Sequence, residues 1–341
     1  MNINKTYVVN LKHRTDRWED INKNFKGTGL KLTRWNAVYG KNLTDDQVKK
    51  ITTDFCYEMC SPGMIGCWLS HYGIWLNIIR NNEDNVLVLE DDAFPAADYK
   101  QRINKVLAEI PKDYDLVYFG CIGTCEVSGN NFYKILDGEK GNEVVYQDNK
   151  KLENIVKPAF PLATHAYMIS QKGAKKLLNN EKIKKVLYHI DFTLSNVVYN
   201  DKDSNFKVFA VLPPLINQGF DSNGSDIAES NHPIINYTFS KLKFTEGLSL
   251  DYMNNVQAFY IRRLGVPVTQ FLIMATVLSL LIGATFSKEW VDNYVKFLIV
   301  IYGIEIIITK GKNLKMMIFE LIVLIIAVYL SYNIKTKLLS K

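Results

Sequence analysis

Through about residue 220, short apolar runs alternate with amphipathic stretches. "KTYVVNL" predicts a strand, and "RTDRWEDINKNF" a helix whose apolar positions Trp18, Ile21 and Phe25 fall on one face. "LKLTRWNAV" predicts a second strand. Ser61 followed by Pro62 is a helix start, with Ser as cap and Pro in the first turn, and the helix continues through "GMIGCWLSHYGIWLNIIRNN". "NVLVLE" reads as a buried strand, "YKQRINKVLAEI" as a helix and "YDLVYFG" as a strand. "THAYMIS" then predicts a strand and "QKGAKKLLNN" a helix. Strands alternating with helices predict an α/β fold, with a mostly parallel sheet covered on both faces. The polar stretch from Ser128 to Lys157 predicts an inserted loop or hairpin, and "DSNGSDIAESNHP" a loop within a segment that wraps the domain.

The pattern changes near residue 266. Three apolar runs follow: Val266 to Phe286, Tyr294 to Thr309 and Met316 to Tyr332. A spanning helix needs about 20 mostly apolar residues. The first run meets this and the third nearly does, whereas the second is shorter and carries Lys296 and Glu305. The expected division is an α/β domain over 1–227, a linker over 228–264 and a membrane domain of two to three transmembrane helices over 265–335. Arg262 and Arg263 precede the first run, and Lys310, Lys312 and Lys315 separate the second from the third. Both sets face the cytosol if the N-terminal domain does. The basic tail from Lys335 to Lys341 breaks that pattern.

Composition changes the picture little. The 341 residues carry a formal charge of +6. The basic residues are spread out with no nucleic-acid motif beneath them, so no nucleic acid is expected as a partner. Five cysteines, Cys56, Cys60, Cys67, Cys121 and Cys125, are an odd number and argue against a disulfide framework. They read as small apolar fillers or reduced thiols.

The chemistry concentrates where Val86 to Leu89 run into Glu90, Asp91 and Asp92. Ligands of parallel α/β sheets bind beyond the carboxyl ends of the strands. Three adjacent carboxylates repel, and a hard divalent cation, Mn²⁺ or Mg²⁺, offsets them while bridging to phosphates. In extended chain, Glu90 and Asp92 face one way and Asp91 the other. The alternative is a solvated acidic turn. Asn10 ends the first strand, and Arg14 and Arg17 follow it, two guanidinium groups able to hold a diphosphate; the alternative is a charge set on a helix face.

Taken in order, "VVNLKHRTDR", "NAVYG", "SPGMIGCWLSHYGIW", "VLVLEDDA", "THAYMISQKGAKKLL" and "HIDFTL" resemble glycosyltransferase family 25. That family includes lipooligosaccharide and collagen hydroxylysine galactosyltransferases. The resemblance covers roughly Lys5 to Ile227 and leaves the C-terminal runs aside. It implies a GT-A-like fold, a UDP-hexose donor, Mn²⁺ or a similar ion, and inversion at the sugar carbon. It places Asn10, Leu11, Arg14 and Arg17 on the nucleotide side, and Ala37, Val38 and Gly40 under the base or ribose. Ser70 and His71 fall in the donor pocket with Asp91. Asp92 is the foremost metal ligand, with Glu90 beside it where the family's motif more often has Asp.

An inverting transfer needs a base on the face opposite the leaving UDP. The resemblance assigns that role to Asp191, which could instead cap the helix that follows. His165 and His189 are further candidates, for the acceptor side and the metal. The resulting expectation is a membrane-associated enzyme with its catalytic domain facing the cytoplasm. It moves galactose or glucose from a UDP-sugar to a glycan or glycolipid acceptor such as lipooligosaccharide. The rival acceptor is collagen-type hydroxylysine, and the rival class is a weakly catalytic, sugar-nucleotide-binding membrane protein.

Overall fold

The computed structural model describes residues 1–123, 142–159, 161–200, 205–219, 232–234, 243–245, 248–249, 257–311 and 314–340. The chain divides into two units, Met1–Tyr57 with Pro62–Ser222, and Glu58–Ser61 with Asn223–Lys341.

The first unit is built on strands β1 (Lys5–Asn10), β2 (Leu32–Asn36), β3 (Val86–Glu90), β4 (Ala93–Pro95), β5 (Leu116–Gly123), β6 (Glu143–Gln147), β7 (Lys150–Lys157), β8 (Pro161–Ile169), β9 (Val208–Val211) and β10 (Ile216–Gln218). Its helices are α1 (Thr15–Asn24), α2 (Asp45–Ile51), α3 (Asp54–Met59, whose last two residues belong to the second unit), α4 (Pro62–Arg80), α5 (Tyr99–Glu109), α6 (Gln171–Asn179) and α7 (Ile190–Asn200). Eight strands form one sheet in the order β2-β1-β3-β8-β5-β9-β7-β6. Pairing directions give six strands running one way, with β8 and β7 opposed. The sheet is therefore mixed but mostly parallel, a Rossmann-like α/β arrangement.

The strand sequences explain this placement. Val86 to Leu89 of β3 are all fully buried, as a central strand covered on both faces requires. Alternate residues Val8, Leu87, Leu89, Val117, Phe119, Ala166 and Met168 pack with Ile21 and Phe25 near α1 and Val106 and Leu107 of α5. On the opposite face Trp75 of α4 donates from Nε1 to Tyr167 Oη of β8 over 3.0 Å. Each fully buried Val or Leu contributes roughly 1.5–3 kcal/mol. Capping fixes two helix starts. Thr44 and Gln47 form a reciprocal capping box at α2, and Ser170 Oγ accepts from the Gly173 amide at α6.

The β6–β7 hairpin occupies the second half of the expected insertion. Residues 128–141 of that insertion, and residues 221–231 of the expected loop over 221–233, lie outside the described residues.

In the second unit a hairpin pairs Gln257–Ile261 with Val266–Thr269. Helices α8 (Gln270–Thr285), α9 (Lys288–Ile308) and α10 (Leu314–Leu339) follow. The first apolar run is thus not one long helix. Gly265, at φ +62°, closes the turn, Pro267 lacks the amide a helix interior would use, and Thr269 Oγ1 caps α8 by accepting from Leu272 N. Among the described residues one helix, the 26-residue α10, is long and apolar enough to cross a membrane. Leu278, Leu281, Phe297, Val300, Ile304, Ile322, Ile326 and Leu330 are exposed on these helices. Glu305 and Glu320 turn inward and are fully buried, Glu320 2.8 Å from His232 Nε2.

The reading of the cysteines needs correction. Cys56, Cys60 and Cys121 are disulfide-bonded, while Cys67 is free. An odd count excludes only that every thiol pairs, and among the described cysteines Cys67 is the free one.

Candidate active site

The chain leaves β3 at Glu90 and turns through Asp91 and Asp92 into β4. The turn sends the three acids to three sets of partners. Asp91 Oδ1 accepts from Arg17 Nη1 over 2.8 Å, and its Oδ2 from Asn10 Nδ2 over 2.7 Å. Glu90 Oε1 accepts from Thr164 Oγ1 over 2.6 Å and lies 3.5 Å from His71 Nε2. Asp92 Oδ2 accepts from Gln218 Nε2 over 3.1 Å, and Asp92 Oδ1 is buried with no partner among the described residues. The β4–β10 pair brings Gln218 opposite Ala93, and Gly219 N bonds the Asp92 carbonyl over 2.8 Å.

These environments separate the acids electrostatically. Burial and then the Glu90 charge push Asp92 up to about 7. Burial pushes Asp91 above the usual carboxylate range, against the pull of Arg17 and Asn10. Burial would raise Glu90 too, but His71 and Thr164 outweigh it and hold its carboxyl low. Burial and then Glu90, Asp191, Asp92 and Asp91 push the Cys67 thiol well up, so these four acids act on one point at the mouth of α4.

Asp191 lies in the first turn of α7, where the helix dipole favours a carboxylate. Its Oδ1 accepts from Phe192 N over 2.7 Å and its Oδ2 from Ala163 N over 3.0 Å. Ala163 presents that amide from the left-handed region, at φ +68°. Such a backbone costs a non-glycine residue about 1–2 kcal/mol, so surrounding structure must hold it. Phe192, 43% exposed, packs edge-on against Tyr188 at 5.7 Å, and Phe55, 46% exposed, lies 6.2 Å from the same ring.

The remaining expected residues divide by role. Leu11 accepts from Arg34 through its carbonyl over 3.1 Å. The Ala37 amide bonds Asn10 O over 3.0 Å. Ser70 is fully buried, accepts from Val38 N over 2.9 Å and donates to Gly66 O over 2.6 Å. A Cβ on Gly40 would come 1.7 Å from Pro62 O, and one on Gly66 2.4 Å from Val38 O. Ser70, Gly40 and Gly66 therefore clamp the Ala37–Gly40 segment to α4 rather than face solvent. Arg14 holds Asp16, with Nη2 2.9 Å from Oδ2. His71 is fully buried, its Nδ1 3.0 Å from Tyr167 Oη. His165 is buried against Ile216 O at 3.3 Å, and His189 stacks edge-on with Tyr188 at 4.8 Å. Burial imposes a downward shift on the His165 ring, and the Glu90 charge opposes it.

A divalent cation fits this donor set. Asp92 Oδ1 is an orphaned buried oxygen whose carboxyl is pushed up by burial and then by a neighbouring acid, and a hard cation would offset both the orphaned oxygen and the repulsion.

The model of glycosyltransferase family 25 (LPS biosynthesis protein) matches residues 3–194, and the chain belongs to that family. A glycosyltransferase 25 family member from Anopheles gambiae is 33% identical over 197 residues, covering 55% of this chain and 30% of that protein. Procollagen galactosyltransferase 1-A from Xenopus laevis is 30% identical over 198 residues, with the same coverage of each chain. Procollagen galactosyltransferase 2 from Homo sapiens is 26% identical over 237 residues, covering 63% and 35%. The chain spans about a third of the length of these curated relatives.

Thr164, Gln218 and Ala163 escaped the sequence reading. Thr164 lies within "THAYMIS", which signalled only a strand, and Gln218 lies 126 residues beyond the acid it holds.

Proposed function

We propose that the protein transfers a hexose, galactose or glucose, from a UDP-sugar to a hydroxyl of a glycan acceptor, with inversion and with Mn²⁺ or Mg²⁺. The observation that carries this is Asp92 Oδ1, buried and unpartnered among the described residues, beside Glu90 at the carboxyl end of β3. Asp92 and Glu90 would hold the cation, which when bound stabilises charge growing on the departing diphosphate. Arg17 and Asn10, braced by Asp91, line the side from which the nucleotide approaches. The Ala37–Gly40 segment, clamped to α4, forms the floor under the base or ribose.

Asp191 takes the proton of the acceptor hydroxyl. The acceptor oxygen then bonds the sugar carbon, and the bond from that carbon to the diphosphate breaks, its electron pair leaving with UDP. Backbone amides fix both Asp191 oxygens, and each keeps a lone pair for the hydroxyl. Phe192 and Phe55, exposed on either side of Tyr188, suit the apolar face of an acceptor sugar.

The helices of the second unit support a location at a membrane. α10 has the length to span, and the exposed apolar residues of α8, α9 and α10 form a belt larger than scattered surface residues would. That location favours a lipid-linked or surface glycan such as lipooligosaccharide, concentrated where the enzyme sits. The names of the Xenopus and human relatives support a second acceptor, collagen-type hydroxylysine. Orientation rests on two opposed signals. Arg262 and Arg263 favour the cytoplasmic side, and the disulfide-bonded Cys56, Cys60 and Cys121 favour an oxidising one. Protease protection of sealed vesicles decides between them.

The test is a donor panel of UDP-galactose, UDP-glucose and UDP-N-acetylhexosamines with the purified full chain, reading released UDP with and without Mn²⁺. Turnover of a UDP-hexose that needs the cation supports the reading. No release from any donor overturns it. Glycolipid and hydroxylysine peptide acceptors, compared with the preferred donor, separate the two acceptor classes.

A further inference from the structure

Cys67 and His71 lie one turn apart on α4 and face the end of β3. Cys67 Sγ, His71 Nε2 and a Glu90 carboxylate oxygen all lie within 4.8 Å of one another. The His71 to Glu90 separation is 3.5 Å. Around a tetrahedral ion with bonds of about 2.0–2.3 Å, ligand atoms lie roughly 3.3–3.8 Å apart. The three donors thus need only small movements to meet on one ion.

A second observation points the same way. His71 is fully buried, and its Nε2 has only a long 3.5 Å approach to Glu90. A buried ring nitrogen so weakly satisfied needs an explanation. Its other nitrogen, Nδ1, is 3.0 Å from Tyr167 Oη, which also accepts from Trp75 Nε1. Tyr167 Oη has two lone pairs and can accept from both. When His71 donates from Nδ1, the lone pair of Nε2 faces Cys67 and Glu90. A hydrogen bond at the far nitrogen that fixes the ring and its tautomer is the support metal-bound histidines use.

We propose that Cys67, His71 and Glu90 form a binding site for a thiophilic divalent cation of the Zn²⁺ class. Sulfur and imidazole donors select such ions over Mn²⁺ and Mg²⁺. Cys67 and Glu90 each keep a minor part of their surface in solvent, and with three protein donors a water would complete the tetrahedron. On binding, the Cys67 thiol gives its proton to solvent and its sulfur bonds the metal; no electron is transferred. The site differs from the hard-cation position at Asp92 in its ligand chemistry and shares Glu90 with it. A zinc-class ion would therefore draw Glu90 toward α4. This proposal stands apart from the transferase reading, since no readout below requires turnover.

The full chain, stripped of metal with its disulfides intact, is titrated with Co²⁺ and with Zn²⁺. A near-ultraviolet thiolate-to-Co²⁺ band should saturate at one equivalent and vanish on addition of Zn²⁺. Cys67→Ser, checked for folding by near-ultraviolet circular dichroism, should lack the band. In the wild type, one equivalent of Zn²⁺ should slow alkylation of Cys67 by iodoacetamide at least tenfold, and Mn²⁺ should not. Retention of the band in Cys67→Ser overturns the proposal. So does a folded wild type with neither a band nor protection, and that wild-type measurement stands even if the variant fails to fold.

Discussion

Ala163 and Thr164, neighbours on β8, each hold one acid of the candidate site: the Ala163 amide bonds Asp191 over 3.0 Å, and the Thr164 hydroxyl bonds Glu90 over 2.6 Å. The proposed base and the proposed cation site are thus registered by a single strand. Thr164→Val keeps the shape and removes the donor. A hydrogen bond to a charged group contributes about 1.5–3 kcal/mol, so the melting temperature should fall. UDP-hexose turnover should fall roughly tenfold, equivalent to ~1.4 kcal/mol at the barrier. Calorimetry and released UDP check the two effects, and unchanged turnover would mean that Glu90 needs no such support.

Asp92 makes stability depend on pH in a definite direction. Its folded value, about 7, lies above the ordinary value of 3.8. Between those values the folded chain binds more protons than the unfolded chain, so stability falls as pH rises through that window. The melting temperature of cation-free protein should decline from pH 5 to pH 7 more steeply than that of Asp92→Asn. Adding Mn²⁺ at pH 7.5 should recover stability in the wild type and not in the variant. Equal slopes in both proteins would contradict the assignment.

Arg17 and Asp91 form a nearly buried pair, with side chains 15% and 11% exposed. Removing one partner takes away the other's opposite charge across the pair, a loss of about 3–5 kcal/mol where a pair is fully buried. Arg17→Met and Asp91→Asn should each destabilise strongly, and the double variant by clearly less than their sum. Urea unfolding of the four proteins measures the coupling. Additive effects would show that the pair acts independently.

Phe192 should matter to the acceptor and not to the donor. Phe192→Ala removes an exposed ring beside Asp191 and disturbs no cation ligand. The acceptor KM should rise several-fold while the donor KM holds. Steady-state kinetics with each substrate varied in turn gives both numbers, and a shift in the donor KM alone would place Phe192 on the other side of the site.

Much of this architecture was legible in the sequence because it is local. Four apolar residues ending in three acids mark a central strand and its tip, and β3 has both. Asn10 and Arg17 were legible as polar residues following the first strand. What the acids touch was not, because tertiary pairing sets it: Thr164 lies 74 residues from Glu90, and Gln218 arrives through the short β4–β10 pair. Ser70 and Gly40 look like ligand residues in a motif, and the motif does not tell that they also bring a loop against α4. The first apolar run shows how length misleads, since a turn at Gly265 and a cap at Thr269 divide what hydropathy joins. The cysteines show the limit of counting, which says nothing about which thiols meet.

The most direct test is calorimetric titration of UDP into the full chain with and without Mn²⁺, for wild type and Asp92→Ala. Tight binding that needs both Mn²⁺ and Asp92, with the variant still folded, is the predicted result. Binding equally strong without the cation, or undiminished in Asp92→Ala, would contradict the account.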